Sequence, residues 1–455
     1  MPAGIVPRRR HEPYQYFLKA SLLVAITVGW LLGMLELLAI ASRGAFARGL
    51  ISPALFQVHG QSQIIGWVGL FIVGISYQVI PRQRRVAIHA PTVAWTVLGL
   101  MLGGIVLRAV SQPMAAGSLI FGAMAVLSAV LELAALGLFM FGLIQGRVMA
   151  DSIQGPERFS RAALQWFGIA LLLNLAACTL LAVRSTSVVP EWLGRTIIVV
   201  ELFGFVMAMI FGVNARNLPL FMRVKAAPPE ALRPVLRLLP AAVILCAGGQ
   251  AGGAFWSWGP AMALAGWAGL IVCAAVYVRA VGMFGPRNRH ILTAGESRCY
   301  EAYVLGAYIW LAVGLALELV VPIVQLAGVP FSAGDLFLAG LHAITVGFIS
   351  TMIMGMAARI VPAFAATRLH SRALFVSAWW CLMLGTLLRV PSQALYTAIG
   401  EPFVVLLGIS GVIQLAAVML FAWNLWRTLD SGAVDPAEAA GRVRFAGRRG
   451  ELVRG

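Results

Sequence analysis

Twelve long apolar runs follow one another along the chain, separated by short connections that hold most of its charge. They cover roughly 15–42, 58–81, 91–111, 114–145, 160–184, 193–215, 234–255, 259–282, 301–327, 336–360, 373–396 and 401–426. At about 1.5 Å per helical residue, a run of some twenty residues crosses the roughly 30 Å of hydrocarbon in a bilayer. None of the runs alternates with the period of two that a barrel strand requires. Helices are the other structure that satisfies every backbone group in lipid. The pattern therefore predicts an all-α membrane protein of about twelve transmembrane helices, a single polytopic domain over 1–455 with the lipid bilayer as its main partner.

A second pattern is superimposed on the first. Gly66-Trp67, Gly74 and Pro81 set a template of Gly-aromatic, Gly eight later and Pro seven after that. It returns as Gly204-Phe205, Gly212 and Pro219, and again as Gly347-Phe348, Gly355 and Pro362. Polar positions inside apolar runs follow the same offsets: Glu36, Asn174 and Glu318 each sit between two leucines, and Arg108 and Arg389 open the matching segments LRAVSQ and LRVPSQ. Self-similarity at a fixed period marks repeated units. The expectation is three pseudo-symmetric four-helix repeats, approximately 15–145, 160–282 and 301–426, followed by a basic tail over 427–455.

Composition agrees: 60% of the 455 residues are apolar and 11% charged, with a mean hydropathy of +0.89. The net charge of +17 does not point to nucleic acid, because the arginines fall in alternate connections and in the tail. Arg8 to Arg10, Arg82, Arg84, Arg85, Arg147, Arg216, Arg223, Arg287, Arg289, Arg368 and Arg372 all lie on one set of loops. By the positive-inside rule both termini are cytoplasmic, in a bacterial inner membrane. The first run is 28 residues long and lacks a small-residue cleavage site, so it reads as a retained helix. The five cysteines are scattered and form no CxxC pair, which indicates neither a disulfide framework nor an iron–sulfur cluster.

Ionisable groups at membrane depth cost roughly 2.5–3.5 kcal/mol even on the lenient insertion scale, and so tend to mark cavities and sites. Of six histidines, His11, His89, His290 and His370 fall in arginine-rich connections, leaving His59 and His342. His59 follows Ser52-Pro53, a cap and first-turn signal, and His342 follows Asp335, another cap candidate. Both are placed about 10 Å into the second and tenth helices from the periplasmic end. Two neutral imidazoles on facing helices can hold heme iron, or can be hydrogen-bonded bundle residues. Arg108 and Arg389, at a similar depth, can pair with heme propionates or snorkel to headgroups. Glu201, Glu36, Glu318 and Glu132 are candidates for a proton or ion path or for polar contacts between helices. No phosphate loop, Ser-His-Asp arrangement, CxxCH attachment or zinc pattern is present.

The segments VHGQSQIIGWVGLFIVGISYQVIPR (58–82) and GLHAITVGFISTMIMGMAARIVPAF (340–364) resemble the NnrS family of heme-copper membrane proteins. More distantly the chain is similar to heme-copper oxidase subunit I. The resemblance implies twelve helices in three arcs and heme ligands on helices 2 and 10. The family's helix 2 pattern reads HxH followed five residues later by Gly, and here stands as His59, Gln61 and Gly66, so only the first histidine carries over. His342 matches the His-Ala-hydrophobic-Thr-Val-Gly motif of helix 10. Oxidase subunits also place histidines on helices 6 and 7 and a second on helix 10. This chain has Glu201 and no histidine in those helices, so a dioxygen-reducing binuclear centre is not expected. His59 stands seven residues before its template Gly and His342 five, a difference of about 200° around a helix.

Two functional classes follow. The resemblance implies an inner-membrane protein that binds heme, of the b type, with copper as a second candidate metal, linked to nitric oxide or another small diatomic ligand. His59 and His342 would be axial ligands, with Arg108 and Arg389 as propionate partners. The alternative is a cofactor-free secondary transporter whose path is lined by the intramembrane carboxylates. Such transporters break their helices at mid-membrane, and these runs show few Gly-Pro interruptions there. A ligand-free assembly factor is a third reading.

Overall fold

The structure is a computed structural model and describes residues 12–84, 91–145, 155–285, 299–329, 331–365 and 367–431. Arg8 to Arg10, His11, Arg85, His89, Arg147, Arg287, Arg289, His290 and the tail beyond Ser431 lie outside them. Among the described residues, twelve helices are long and apolar enough to cross a membrane. These are α1 (Pro13–Ala41), α2 (Pro53–Ile80), α3 (Thr92–Met114), α4 (Leu119–Leu143), α5 (Gly155–Arg184), α6 (Glu191–Phe221), α7 (Pro229–Gly252), α8 (Gly259–Val281), α9 (Cys299–Ala327), α10 (Ala333–Ala365), α11 (Arg372–Ile399) and α12 (Glu401–Ser431). No strand occurs among the described residues, and the protein is a multi-pass membrane protein.

Burial separates the helices into two classes. In α2, α6 and α10 the most apolar stretch is 67%, 89% and 78% buried within the protein, against 39–50% in the other nine. These three form the centre. The outer nine close a ring around them: α3 with α4, α7 with α8 and α11 with α12 pack as antiparallel pairs, α4 joins α5, α8 joins α9, and α12 returns to α1. Outward leucines and tryptophans such as Leu172, Leu387, Trp380 and Trp423 stay exposed, as lipid-facing positions do.

The central helices are not uniform α-helices. Each contains one π-helical segment, at Ser62–Gly69, Val200–Met207 and Ala343–Ser350, and α1 contains another at Ala25–Leu31. The three central segments begin four residues before Gly66, Gly204 and Gly347 and end three after them, so the Gly-aromatic pair of the template sits in the middle of each. The glycines admit the preceding helix. A Cβ on Gly66, Gly204 or Gly347 would collide with Val24, Trp166 or Trp310. The π segment of α6 touches those of both α2 and α10. The Trp67 indole N–H donates to Ser350 Oγ at 3.2 Å, tying α2 to α10.

The helix starts also refine the sequence reading. Pro53 opens α2 as its first residue, but Ser52 makes no capping hydrogen bond. The cap of α10 is Ser332, whose side chain accepts from the Asp335 backbone N–H at 3.2 Å. Asp335 therefore sits in the first turn and not at the cap.

Candidate cofactor cavity

Every odd-to-even connection lies at one end of the bundle, and the half nearest that end holds a cavity of about 420 Å³. Small-molecule sites run from roughly 300 to 1,000 Å³. Helices α1, α2, α6, α10, α11 and α12 supply most of its wall, and Arg108 of α3 and Asn174 of α5 reach in from outside. Its lining is mostly apolar and aromatic, with Trp30, Trp67, Phe56 and Phe337 among the larger groups. Into this surface project His59, His342, Arg108, Arg389, Glu36 and Glu201. The register difference between the histidines does not separate them, because the wall runs from Phe56 to Val68 on α2 and from Phe337 to Ser350 on α10, several turns of each helix.

Both imidazoles are set in the same way. His59 Nδ1 lies 3.0 Å from the Gly29 carbonyl oxygen, and His342 Nδ1 lies 2.7 Å from the Leu338 carbonyl oxygen. A carbonyl can only accept, so each Nδ1 carries the proton and donates it. In a neutral imidazole the other nitrogen, Nε2, is then left with its lone pair free to accept or to ligate. Gly29 belongs to the π segment of α1 and has φ −77° and ψ −106°, outside helical values. That break in α1 offers its carbonyl to a side chain on the neighbouring helix. The His59 ring packs against Gly33 through Cε1, which would stand 2.6 Å from a Cβ there.

The two arginines differ. Arg108 is 5% exposed and held through two of its nitrogens: Nε donates to Gln112 Oε1 at 2.6 Å, and Nη1 donates to Asn174 Oδ1 at 3.3 Å and contacts Cys178 Sγ. Arg389, 7% exposed, donates from Nη2 to His342 Nε2 at 3.1 Å, while its Nε and Nη1 have no partner. Glu36 and Glu201, 4% and 1% exposed, each keep one oxygen unpartnered on the cavity. Buried polar atoms without partners are rare in folded proteins and call for an explanation such as a missing ligand or water.

The sequence profile described as NnrS protein matches residues 12–431. The chain belongs to the NnrS family. No curated protein matches it.

In this NnrS-family chain the remaining carboxylates stand apart from the cavity wall. Glu132 of α4 accepts from Gln61 Nε2 at 3.4 Å, behind the lining. Glu318 of α9 packs against Gly340 and also lies off the wall. Gln61, which stands where the family pattern has its second histidine, lines the cavity and points to Glu132. Three glutamines were not singled out by the sequence. Gln112 closes the SQ of the matched segments and holds both Arg108 and, at 2.8 Å, Gln57. Gln414 lines the cavity with Nε2 unpartnered. Its only advance signal is a lone amide in an apolar run. Among the described residues no three His, Cys, Asp or Glu side chains cluster so as to hold a bare metal ion.

Proposed function

We propose that this NnrS-family protein binds heme, of the b type, in the cavity, with His59 and His342 facing the iron, and that it acts in nitric oxide or nitrosative-stress physiology. One observation carries the reading. Both histidines commit Nδ1 to a backbone carbonyl, so both keep Nε2 unprotonated on one apolar cavity, that of His59 open and that of His342 accepting from Arg389 Nη2. That is the tautomer an axial ligand needs. A cofactor that brings its own equatorial nitrogens suits a site whose contribution is two imidazoles. The unpartnered Nε and Nη1 of Arg389, together with Arg108, supply positive charge for acidic groups on a cofactor's edge. The aromatic and aliphatic wall excludes water from the imidazoles and orients a flat apolar ligand. Bound iron would supply reversible binding of a small diatomic molecule.

The same reading places the chain in a bacterial inner membrane with the even-to-odd connections cytoplasmic, because Arg158, Arg161, Arg216, Arg223, Arg368 and Arg372 gather there. It also takes the three central helices, with their π segments in one register, as the cores of three four-helix repeats. The test is a reduced-minus-oxidised optical spectrum with pyridine-hemochrome quantification on protein purified in mild detergent, for wild type, His59→Ala and His342→Ala. Copper, the second metal that the family resemblance implies, is measured on the same preparation. A Soret band lost or displaced in either variant is the expected result. Colourless protein after expression with ample heme would overturn the reading and leave a carboxylate-lined transporter as the working hypothesis.

A further inference from the structure

The two histidines are alike at Nδ1 and unlike at Nε2. His59 Nε2 has no hydrogen-bond partner among the described residues. His342 Nε2 accepts from Arg389 Nη2 at 3.1 Å. An imidazole nitrogen has a single lone pair, so it can accept that hydrogen bond or ligate a metal, but not both. In the arrangement seen, His59 is ready to ligate and His342 is withheld.

Arg389 has somewhere else to go. Its Nε and Nη1 are unpartnered although the residue is 7% exposed. Glu36 of α1 faces the same cavity, 4% exposed, with Oε1 unpartnered. The two interact electrostatically, yet no ion pair joins them among the described residues. A guanidinium–carboxylate hydrogen bond is stronger than one to a neutral imidazole, and a rotamer change that carried the long Arg389 side chain to Glu36 would exchange the one for the other. A turn to Glu36 would give Arg389 a second arrangement, and a ligand that favours one of the two would shift the balance between them.

We propose that Arg389 is a latch on His342, with Glu36 as its second seat. While the guanidinium holds His342 Nε2, His59 is the sole imidazole free to bind iron, and the opposite face stays open to a small molecule. When the guanidinium turns to Glu36, His342 is released as a second ligand and closes that face. The inference rests on the heme reading above. It makes Arg389 a positioning residue, acting through His342.

The test is carried out on full-length protein loaded with heme in detergent, for wild type, Arg389→Leu, Arg389→Lys, Glu36→Gln and the double variant Arg389→Leu/His342→Ala. Heme content, the ferric high-spin to low-spin ratio by electron paramagnetic resonance, and the rate of carbon monoxide binding to the reduced protein are recorded. Wild type is expected as a mixture of the two spin forms. Arg389→Leu shifts it toward low spin and slows carbon monoxide binding by about tenfold or more. Arg389→Lys, which keeps a donor, stays close to wild type, and the double variant returns to high spin. Glu36→Gln removes the charged seat and moves the mixture toward high spin.

Equal heme content with an unchanged spin ratio in Arg389→Leu overturns the latch and leaves the heme reading standing. Absence of heme from wild type overturns both. Should Arg389→Leu fail to fold, Glu36→Gln decides: a mixture that does not move toward high spin overturns the proposal.

Discussion

His59 Nδ1 lies 3.0 Å from the carbonyl oxygen of Gly29, a residue whose ψ of −106° breaks the helical course of α1. A regular helix at that point would direct the carbonyl along the helix axis. The break instead fixes the tautomer of the imidazole on the neighbouring helix, and so the direction of its lone pair. Four π segments surround the cavity half of the bundle, in line with the frequent occurrence of such segments at functional sites.

This contact makes Gly33 a sensitive position. A Cβ there would stand 2.6 Å from Cε1 of His59 and 3.2 Å from Nε2, so Gly33→Ala turns the ring and strains its bond to Gly29. A hydrogen bond of this kind contributes about 1 kcal/mol, and the expected outcome is a several-fold fall in heme retention with the bundle intact. Gly99 of α3 lies off the cavity wall and a Cβ added there would meet nothing within 4 Å, so Gly99→Ala is the control. Equal heme content in the two variants would show that the His59 ring is not held where the structure has it.

The helices were legible because lipid leaves a strong signature in hydropathy, and His59 and His342 stood out as the histidines inside apolar runs. The π segments were not, since a π turn changes hydrogen-bond spacing and not composition. The Gly-aromatic template marked their centres without revealing their geometry. The runs carry few Gly-Pro interruptions at mid-membrane, yet the central helices and α1 each depart from regular α-helix there. The histidine tautomers depend on the Gly29 and Leu338 carbonyls. Local spacing could have suggested the second, four residues before His342, but not the first. Gln414 and Gln57 carry no spacing signal at all.

The two cavity arginines should respond differently to removal. Arg108→Leu strands Gln112 and Asn174, both buried partners, and each stranded group costs about 1–3 kcal/mol. Arg389→Leu strands no buried hydrogen-bond partner, because the one it has among the described residues, His342 Nε2, faces the cavity. The thermal unfolding midpoint in detergent is expected to fall clearly for Arg108→Leu and little for Arg389→Leu. The opposite order would mean that Arg389 makes contacts this arrangement lacks.

The link between the central helices is testable by a double-mutant cycle. Ser350→Ala leaves the buried Trp67 indole N–H without its acceptor, whereas Trp67→Phe removes the donor as well. The expected coupling energy between the two substitutions is about 1 kcal/mol, measured as unfolding free energies in detergent. Strict additivity would place the pair out of contact in the folded bundle.

Orientation follows from which end carries the arginines. Ala45, in the α1–α2 connection, and Ala226, in the α6–α7 connection, are both exposed and lie at opposite ends of the bundle. In a background with Cys178, Cys246, Cys273, Cys299 and Cys381 replaced, Ala45→Cys is expected to react with a membrane-impermeant maleimide in intact spheroplasts. Ala226→Cys is expected to react only after lysis. The cavity would then lie in the outer half of the membrane, within reach of small molecules arriving from the periplasm. Labelling in the reverse pattern would put the cavity on the cytoplasmic side and overturn the positive-inside assignment, and any account of ligand entry would start from the other face.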